Sequence, residues 1–337
     1  MPTSFQTQRS IARNLVLSAL SQETIGETFA DASLTYRGRP ETSAFAQWDG
    51  SYESDYEYAG KGNSMATESR LITQQSSLSL STRLDDFLVG FLFAFCMAQE
   101  TYTVGAEGAP NTHLFTWKDT GDPALLTNVY IEDTSALKRK WADLSLSQFV
   151  LSGSDKGSVM VKASFIGLGT FTAVAMGALP ALPTAQYLYG SDSVVSIGPV
   201  GAPVSLSPRV LSWEATFDHQ NELFRATGGG TKPYFVRQGN PIQKLKLVIA
   251  NDTTSDVETW RINQTPLEVK IVVASGATSL TIDYPNVNIP KADIGEQDKL
   301  VASTIELDQT TIKQPAGGGN AVTATVLNTD VAYLTGV

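Results

Sequence analysis

The residues equipped to do chemistry are few. His113, in NTHLFTWKD, and His219, in FDHQNEL, are the only histidines, and Cys96 is the only cysteine. Neither histidine has a second one at ligand spacing, so a zinc site has no support. Each reads as a solvated or hydrogen-bonded structural residue. A single cysteine forms neither an intramolecular disulfide nor a cysteine-rich metal site, and its place in an apolar run makes it a core residue. RATGGGTKP, at Arg225–Pro233, sets Gly228, Gly229 and Gly230 before Thr231 and Lys232. A phosphate-binding loop requires Gly, four residues, then Gly-Lys-Ser/Thr opening a helix. Here Pro233 follows the lysine and YFVR continues as strand, so the segment reads as a flexible loop between strands. AGGGN at Ala316–Asn320 reads as a flexible connector. No nucleophile elbow of the Gly-x-Ser-x-Gly type stands between a strand and a helix.

DGSYESDYEYAGKGN, at Asp49–Asn63, alternates acids with tyrosines. A calcium loop needs Asp or Asn at alternating positions, a central glycine and a closing glutamate; Gly50 comes too early. Stacking of a sugar or base on the tyrosines is one reading. Glycoside hydrolysis needs two carboxylates at a set separation, and nothing in the spacing of Glu53, Asp55 and Glu57 brings two together. The favoured reading is a solvent-facing loop of interface tyrosines. Asp49, Tyr52, Glu53, Asp55, Tyr56, Glu57 and Tyr58, together with the three glycines, are therefore candidates for contacts between subunits. No catalytic residue, metal ligand or cofactor is assigned.

These segments hang on elements that the sequence patterns suggest. Of the 337 residues, 42% are hydrophobic and 17% charged, the latter below the usual quarter or so. Strand-like runs dominate: TESRLITQQSSLSLS, LTNVYIED, VLSWEATF, LEVKIVVAS, SLTIDYPNVNIP and LVASTIELDQ. LSLSQFVLSG and GSVMVKASFIGLG read as a hairpin. In QKLKLVIAN, Lys244 and Lys246 share a wet face opposite Leu245, Leu247 and Ile249. SLSLSTRLDDFLVGFLFAFCM changes from alternating strand to apolar run. Its eleven residues from Phe87 to Met97 fall short of the roughly 20 of a membrane span. It reads as a buried helix, with Thr82 and Asp85 resembling a capping box and Phe87, Leu88, Phe91, Leu92 and Phe95 on its core face. NLVLSALS, at Asn14–Ser21, suggests a short amphipathic helix.

The strand-to-capped-helix pattern recurs in QKLKLVIANDTTSDVETW, where Ser255 and Glu258 form a Ser-x-x-Glu box. Each copy follows a glycine-bearing loop. This suggests a duplicated β-rich module: an N-terminal segment over 1–33, a first module over 34–177, a Pro-rich linker over 178–190, a second module over 191–314 and a C-terminal extension over 315–337.

The order of SLSLSTRLDDFLVGFLFAF, LSQFVLSGSDKGSVMVKASFIGLG, TFDHQNEL, LKLVIANDTTSDVETW and SLTIDYPNVNIPKADIGEQDKLVASTIELD resembles the tail tube (major tail) proteins of long-tailed bacteriophages, from about Leu34 to Gln309. The resemblance implies a mainly β fold of sandwich modules with a flanking helix, whose inner strands join into a shared barrel. It implies rings, either hexamers or pseudo-hexameric trimers of a duplicated chain, stacked into a hollow virion tail tube that is assembled in the bacterial cytoplasm. Implied partners are further copies of the chain and the tape measure, tail terminator and distal tail proteins. No membrane is implied, and the genome passes through without tight binding. The net charge of −10 fits an acidic lumen that repels phosphate. The rival readings are another virion structural protein, such as a decoration protein or a head–tail or tail-end adaptor, and a carbohydrate-binding β-sandwich.

Overall fold

The computed structural model describes residues 14–334 apart from 24–25, 27–28, 39, 41–45, 56–67, 119–123, 135–136, 228–229 and 252–255. In chain order it forms β1 (Asn14–Ser18), β2 (Leu34–Gly38), β3 (Ala46–Asp55) and β4 (Glu68–Arg83), then helix α1 (Asp86–Met97). There follow β5 (Ala98–Thr103), β6 (Asn111–Trp117), β7 (Thr127–Thr134), β8 (Leu137–Ser154), β9 (Met160–Gly167) and β10 (Phe171–Thr172). After an extended crossing come β11 (Ser193–Pro199), β12 (Val204–Ser205), β13 (Val210–Asp218), β14 (Glu222–Phe224), β15 (Phe235–Arg237) and β16 (Ile242–Ala250). Helix α2 (Asp256–Ile262) precedes β17 (Leu267–Ser275), β18 (Thr278–Val287), β19 (Ala292–Gln297), β20 (Leu300–Leu307) and β21 (Thr323–Asn328).

Two antiparallel sheets face each other, as expected of a mainly β sandwich. The first contains the continuous run β3-β4-β9-β8-β13-β16-β20-β19. The second runs β12-β11-β17-β18-β21-β6-β5. Strict alternation builds the first sheet. In β9, Val161, Ala163 and Phe165 point into the core while Lys162 and Ser164 point out. In β16, Lys244 and Lys246 are exposed between buried leucines, the wet face that the alternation indicated. Strand β8 changes neighbours along its length. Its first half pairs with β7 and β10, its second with β13 and β9. The bend falls near Asp143, which has positive φ (56°) and whose buried carboxylate accepts the Gly26 amide at 2.8 Å. Extra residues of this kind sharpen strand twist and re-aim the chain.

Helix α1 lies between the sheets. Phe93 meets Phe149 and Phe217 of the first sheet edge-on, both at 5.3 Å, and stacks with Phe115 of the second at 6.2 Å. Leu88, Phe91, Leu92 and Phe95 are buried as the 3–4 spacing implied, while Phe87 is only partly buried. The expectation of a single core face is corrected: Val89, Gly90, Phe93, Ala94, Cys96 and Met97 are buried too. A helix covered on both sides has no wet stripe. The cap is corrected as well. Thr82 still belongs to β4, and Asp85 is the N-cap, its Oδ1 accepting the Leu88 amide at 2.7 Å and its Oδ2 the Tyr36 hydroxyl at 2.6 Å.

Two other expectations change. Asn14–Ser18 is strand rather than helix, paired with β2 and β7, because an apolar run this short takes its form from available partners. Segment 315–337 is no mere extension, since β21 sits between β18 and β6 and bridges strands from both halves. Ser255 of the second capping box lies outside the described residues. In both halves a strand of the first sheet (β4, β16) leads to a helix (α1, α2) and then to a hairpin of the second sheet (β5–β6, β17–β18); the first half goes on through β7 to β8–β9, the second directly to β19–β20. The 178–186 stretch carries no helix or strand.

Candidate functional site

Strands β3 and β4 form an arm. β4 has its last pairing with β9 at Ser76, and its eight residues from Glu68 to Gln75 continue beyond it. At about 3.4 Å per residue that overhang is about 27 Å. β3 accompanies it from Ala46 opposite Leu78 to Asp55 opposite Glu68. Cross-strand hydroxyls and carboxylates knit the arm: Ser77 donates to Asp49 at 3.1 Å and Thr73 to Ser51 at 3.0 Å. Gly50 lets Trp48 fold back over the strand, where a Cβ at position 50 would lie 2.5 Å from the indole. Tyr52 (58% exposed) and Glu53 stand in solvent. Asp55 closes the described part of β3. Tyr56, Glu57 and Tyr58 lie outside the described residues.

The second segment singled out from sequence meets β4, the strand paired with the first. Arg225–Pro233 connects β14 to β15, as a loop between strands should. It lies against the root of the arm: the Gln74 amide donates to the Thr231 carbonyl at 2.9 Å. The Arg225 guanidinium donates to the Thr231 carbonyl at 3.1 Å and to the Gln74 carbonyl and Gln75 Oε1, both at 3.4 Å. Gly230 adopts the left-handed φ of 80° that suits glycine; Gly228 and Gly229 lie outside the described residues. The loop thus braces the arm. Nothing in the spacing of residues some 150 positions apart announced this contact.

The face of the first sheet turned away from α1 forms a broad polar wall. One row crosses it as Arg83, Met160, Ser152, Glu214, Lys246 and Glu306 on successive strands. Lys246 reaches Glu306 at 2.8 Å, and that carboxylate raises its ammonium pKa. Lys291 pairs with Asp293 at the β19 edge, also at 2.8 Å. Ser77, Ser79, Ser81 and Ser164 contribute short hydroxyls to the same face. Its bases are Arg83, Lys162, Lys244, Lys246 and Lys291, and its acids Glu214, Asp218, Asp293 and Glu306, so the wall is close to electroneutral. The acid excess of the chain, 34 against 24 bases, is carried elsewhere. Sequence counting missed this because a strand face shows only alternate residues.

The histidines are buried and bonded. His113 Nδ1 meets Glu100 Oε1 at 2.7 Å, and His219 Nδ1 meets Gln238 Nε2 at 2.9 Å. Burial pushes the His219 imidazole down to about 4. Burial also raises the Cys96 thiol well above its usual value, which leaves it unreactive. Among the described residues no group of three His, Cys, Asp or Glu is placed to hold a metal. No described helix is long and apolar enough to cross a membrane.

A family model described as phage tail tube protein matches residues 16–327. No curated protein matches the sequence.

Proposed function

We propose, from the premise that this chain belongs to the phage tail tube protein family and is a structural component of the virion tail, that three copies close into a ring. The polar wall of the eight-stranded run faces inward, stacked rings make the tube, and the genome passes through it. The observation that supports this is the run itself: eight antiparallel strands with one uncovered polar face and two outer strands, β3 and β19, that have no further partner among the described residues. Open edges invite pairing with another chain unless they are blocked. The β19 edge offers apolar contact as well, for Ile294, Leu300 and Val301 of the β19–β20 hairpin are exposed at 68%, 49% and 59%.

Width favours three copies over two or six. Strands about 4.8 Å apart, tilted about 40° in a closed barrel, give a backbone diameter near 48 Å for 24 strands. Inward side chains reach about 5 Å from each wall, half the usual distance between stacked sheets, so about 38 Å stays clear. Two copies leave only about 22 Å, too tight for a hydrated duplex roughly 20 Å across, and six leave more than 80 Å. On this reading the two similar halves of each chain act as fused modules of a pseudo-hexagonal ring.

The wall releases DNA without relying on strong repulsion. Its hydroxyls are short, and several of its charges already have partners. Contact points of this kind offer few free bases for phosphates, whose neutralisation drives non-specific binding. The tape measure would occupy the same channel before ejection, and terminator and distal proteins would cap the two ends after assembly in the host cytoplasm. Image averaging of tubes from purified protein tests the reading. Three-fold rings with β4, β9 and β16 lining the channel are expected; six chains per ring, or a channel lined by the second sheet, overturn it.

A further inference from the structure

A cavity of ≈ 670 Å³ opens at the end of the polar wall where β4 finishes. Arg83, Lys156, Tyr189, Trp213, Glu214 and Lys246 line it. Its back is rigid. Trp213 is buried, donates from Nε1 to Ser193 Oγ at 3.0 Å, and packs against Gly153, where a Cβ would come within 2.5 Å of the indole. Its rim is open, with Tyr189 at 43% exposure. The family membership does not assign it a role.

We propose that this cavity receives the β3–β4 arm of a second copy of this chain in the next ring. The proposal rests on the ring-and-tube reading above and names the receiving surface within it. Position is the first argument. The arm leaves the wall at the Glu68 end of β4 and the cavity lies at the Arg83 end of the same strand. Two unlike surfaces at opposite ends of one axis make a heterologous contact, which extends without limit when translated along the axis. The second argument is charge. Over its described strands, up to Asp55 and from Glu68, the hairpin carries Asp49, Glu53, Asp55 and Glu68 against Arg70. The cavity lining holds three bases and one acid. Lys156 and Lys246 are at present bonded to the exposed carboxylates Asp298 and Glu306, and exposed pairs exchange partners at little cost. The third argument is shape and chemistry. The volume falls within the roughly 300–1,000 Å³ of sites that enclose a ligand-sized group, enough for a tyrosine such as Tyr52. The Arg83 guanidinium already lies 5.9 Å over the Tyr187 ring, so this corner accepts aromatic faces.

The test uses the full chain with Tyr52 replaced by the photo-cross-linker p-benzoylphenylalanine. Tubes are assembled, irradiated and digested, and the linked peptides identified by mass spectrometry. Adducts to the segments holding Arg83, 152–160 or 212–214 of another copy are expected, present in tubes and absent from isolated rings. Tubes whose adducts lie only elsewhere overturn the socket and leave the tube reading standing. A wild-type chain that forms neither ring nor tube overturns both. Charge reversal supplies the second measurement. Lys156→Glu should leave single rings intact and cut tube length several-fold, and adding Glu53→Lys should restore it. Loss of rings in Lys156→Glu, or no recovery in the double variant, would place the cavity outside the stacking contact.

Discussion

Gly90→Ala should destabilise this protein although it places the best helix former in the middle of a helix. The reason is Tyr333. An ideal Cβ at position 90 would stand 2.3 Å from the tyrosine ring carbons Cε2 and Cζ and 2.4 Å from the hydroxyl. The ring cannot swing aside freely. Its hydroxyl donates to Asp330 Oδ2 and accepts from Asn328 Nδ2, each at 2.7 Å, and the Phe87 ring meets it edge-on at 5.6 Å. The Tyr333 and Leu334 amides both donate to Glu100 Oε2, at 2.9 and 2.8 Å. Ala over Gly is worth about 1 kcal/mol in a helix interior, whereas forcing a methyl into an occupied site costs about 1–3 kcal/mol. Displacing the ring would also forfeit two side-chain hydrogen bonds at about 1 kcal/mol each. The expected net loss is about 1–2 kcal/mol. Removing the obstacle reverses the sign: on a Tyr333→Ala background, Gly90→Ala should stabilise by about 1 kcal/mol. Urea denaturation of the four proteins of this cycle measures the coupling directly, about 2–3 kcal/mol if the contact is as described. A stabilising Gly90→Ala in the parent chain, or additive effects, would refute the reasoning.

Three further outcomes are expected. Phe91→Asp, at a position 2% exposed between two sheets, leaves a buried charge without a partner and should yield insoluble or unassembled protein, as read by size-exclusion chromatography; soluble, polymerising Phe91→Asp would remove Phe91 from the core. His219 is held neutral to about 4 while the unfolded chain takes a proton near 6.5, so stability is complete above pH 7 and falls by about 2–3 kcal/mol by pH 4.5; His219→Gln should flatten that part of the pH–stability curve, and an unchanged slope would count against the buried imidazole as its source. Assembled tubes should show no measurable affinity for duplex DNA at physiological salt, whereas Ser79→Lys, Ser81→Lys and Ser164→Lys together should create binding that weakens with log salt by nearly one unit per phosphate neutralised; salt-sensitive binding by the parent, or none by the triple variant, would argue against this wall facing the channel.

The sequence carried the strands because each has one wet face. Alternation in β9, β13 and β16 puts every second side chain in the core, and a period of two is hard to mistake over eight or nine residues. The apolar run of α1 was equally plain as an element, but its surroundings were not. A stripe at positions 87, 88, 91, 92 and 95 implies one covered side. The residues outside that stripe, Phe93 and Cys96 among them, are just as apolar and just as buried, and a helix buried all round has no period to read. The N-terminal strand shows the opposite problem: three apolar residues in a row fit either element, and only the presence of β2 and β7 on both sides decides. The brace between Arg225 and the Gln74–Gln75 root is a product of topology. It joins residues some 150 positions apart, and part of it runs through a backbone carbonyl, which no side-chain pattern encodes.

Charge was the least legible property, for a related reason. A net charge of −10 is a sum over all surfaces, and a channel wall samples only one. On the wall, Lys246 sits between Glu214 and Glu306 on neighbouring strands, so opposite charges face each other across the sheet and stabilise it locally. The acids in excess are found instead on the arm, at Asp49 and Glu53, and at the exposed edge hairpin, at Glu296 and Asp298. On the ring-and-tube reading proposed above, those are the places where chains would meet. Acidic edges resist premature pairing between free subunits, and partner surfaces that supply bases, as the Arg83–Lys156 cavity does, can relieve that repulsion in the correct register alone. On that reading the overall acidity would act on assembly more than on a passing genome: it would keep free chains apart until the complementary end of another copy arrives.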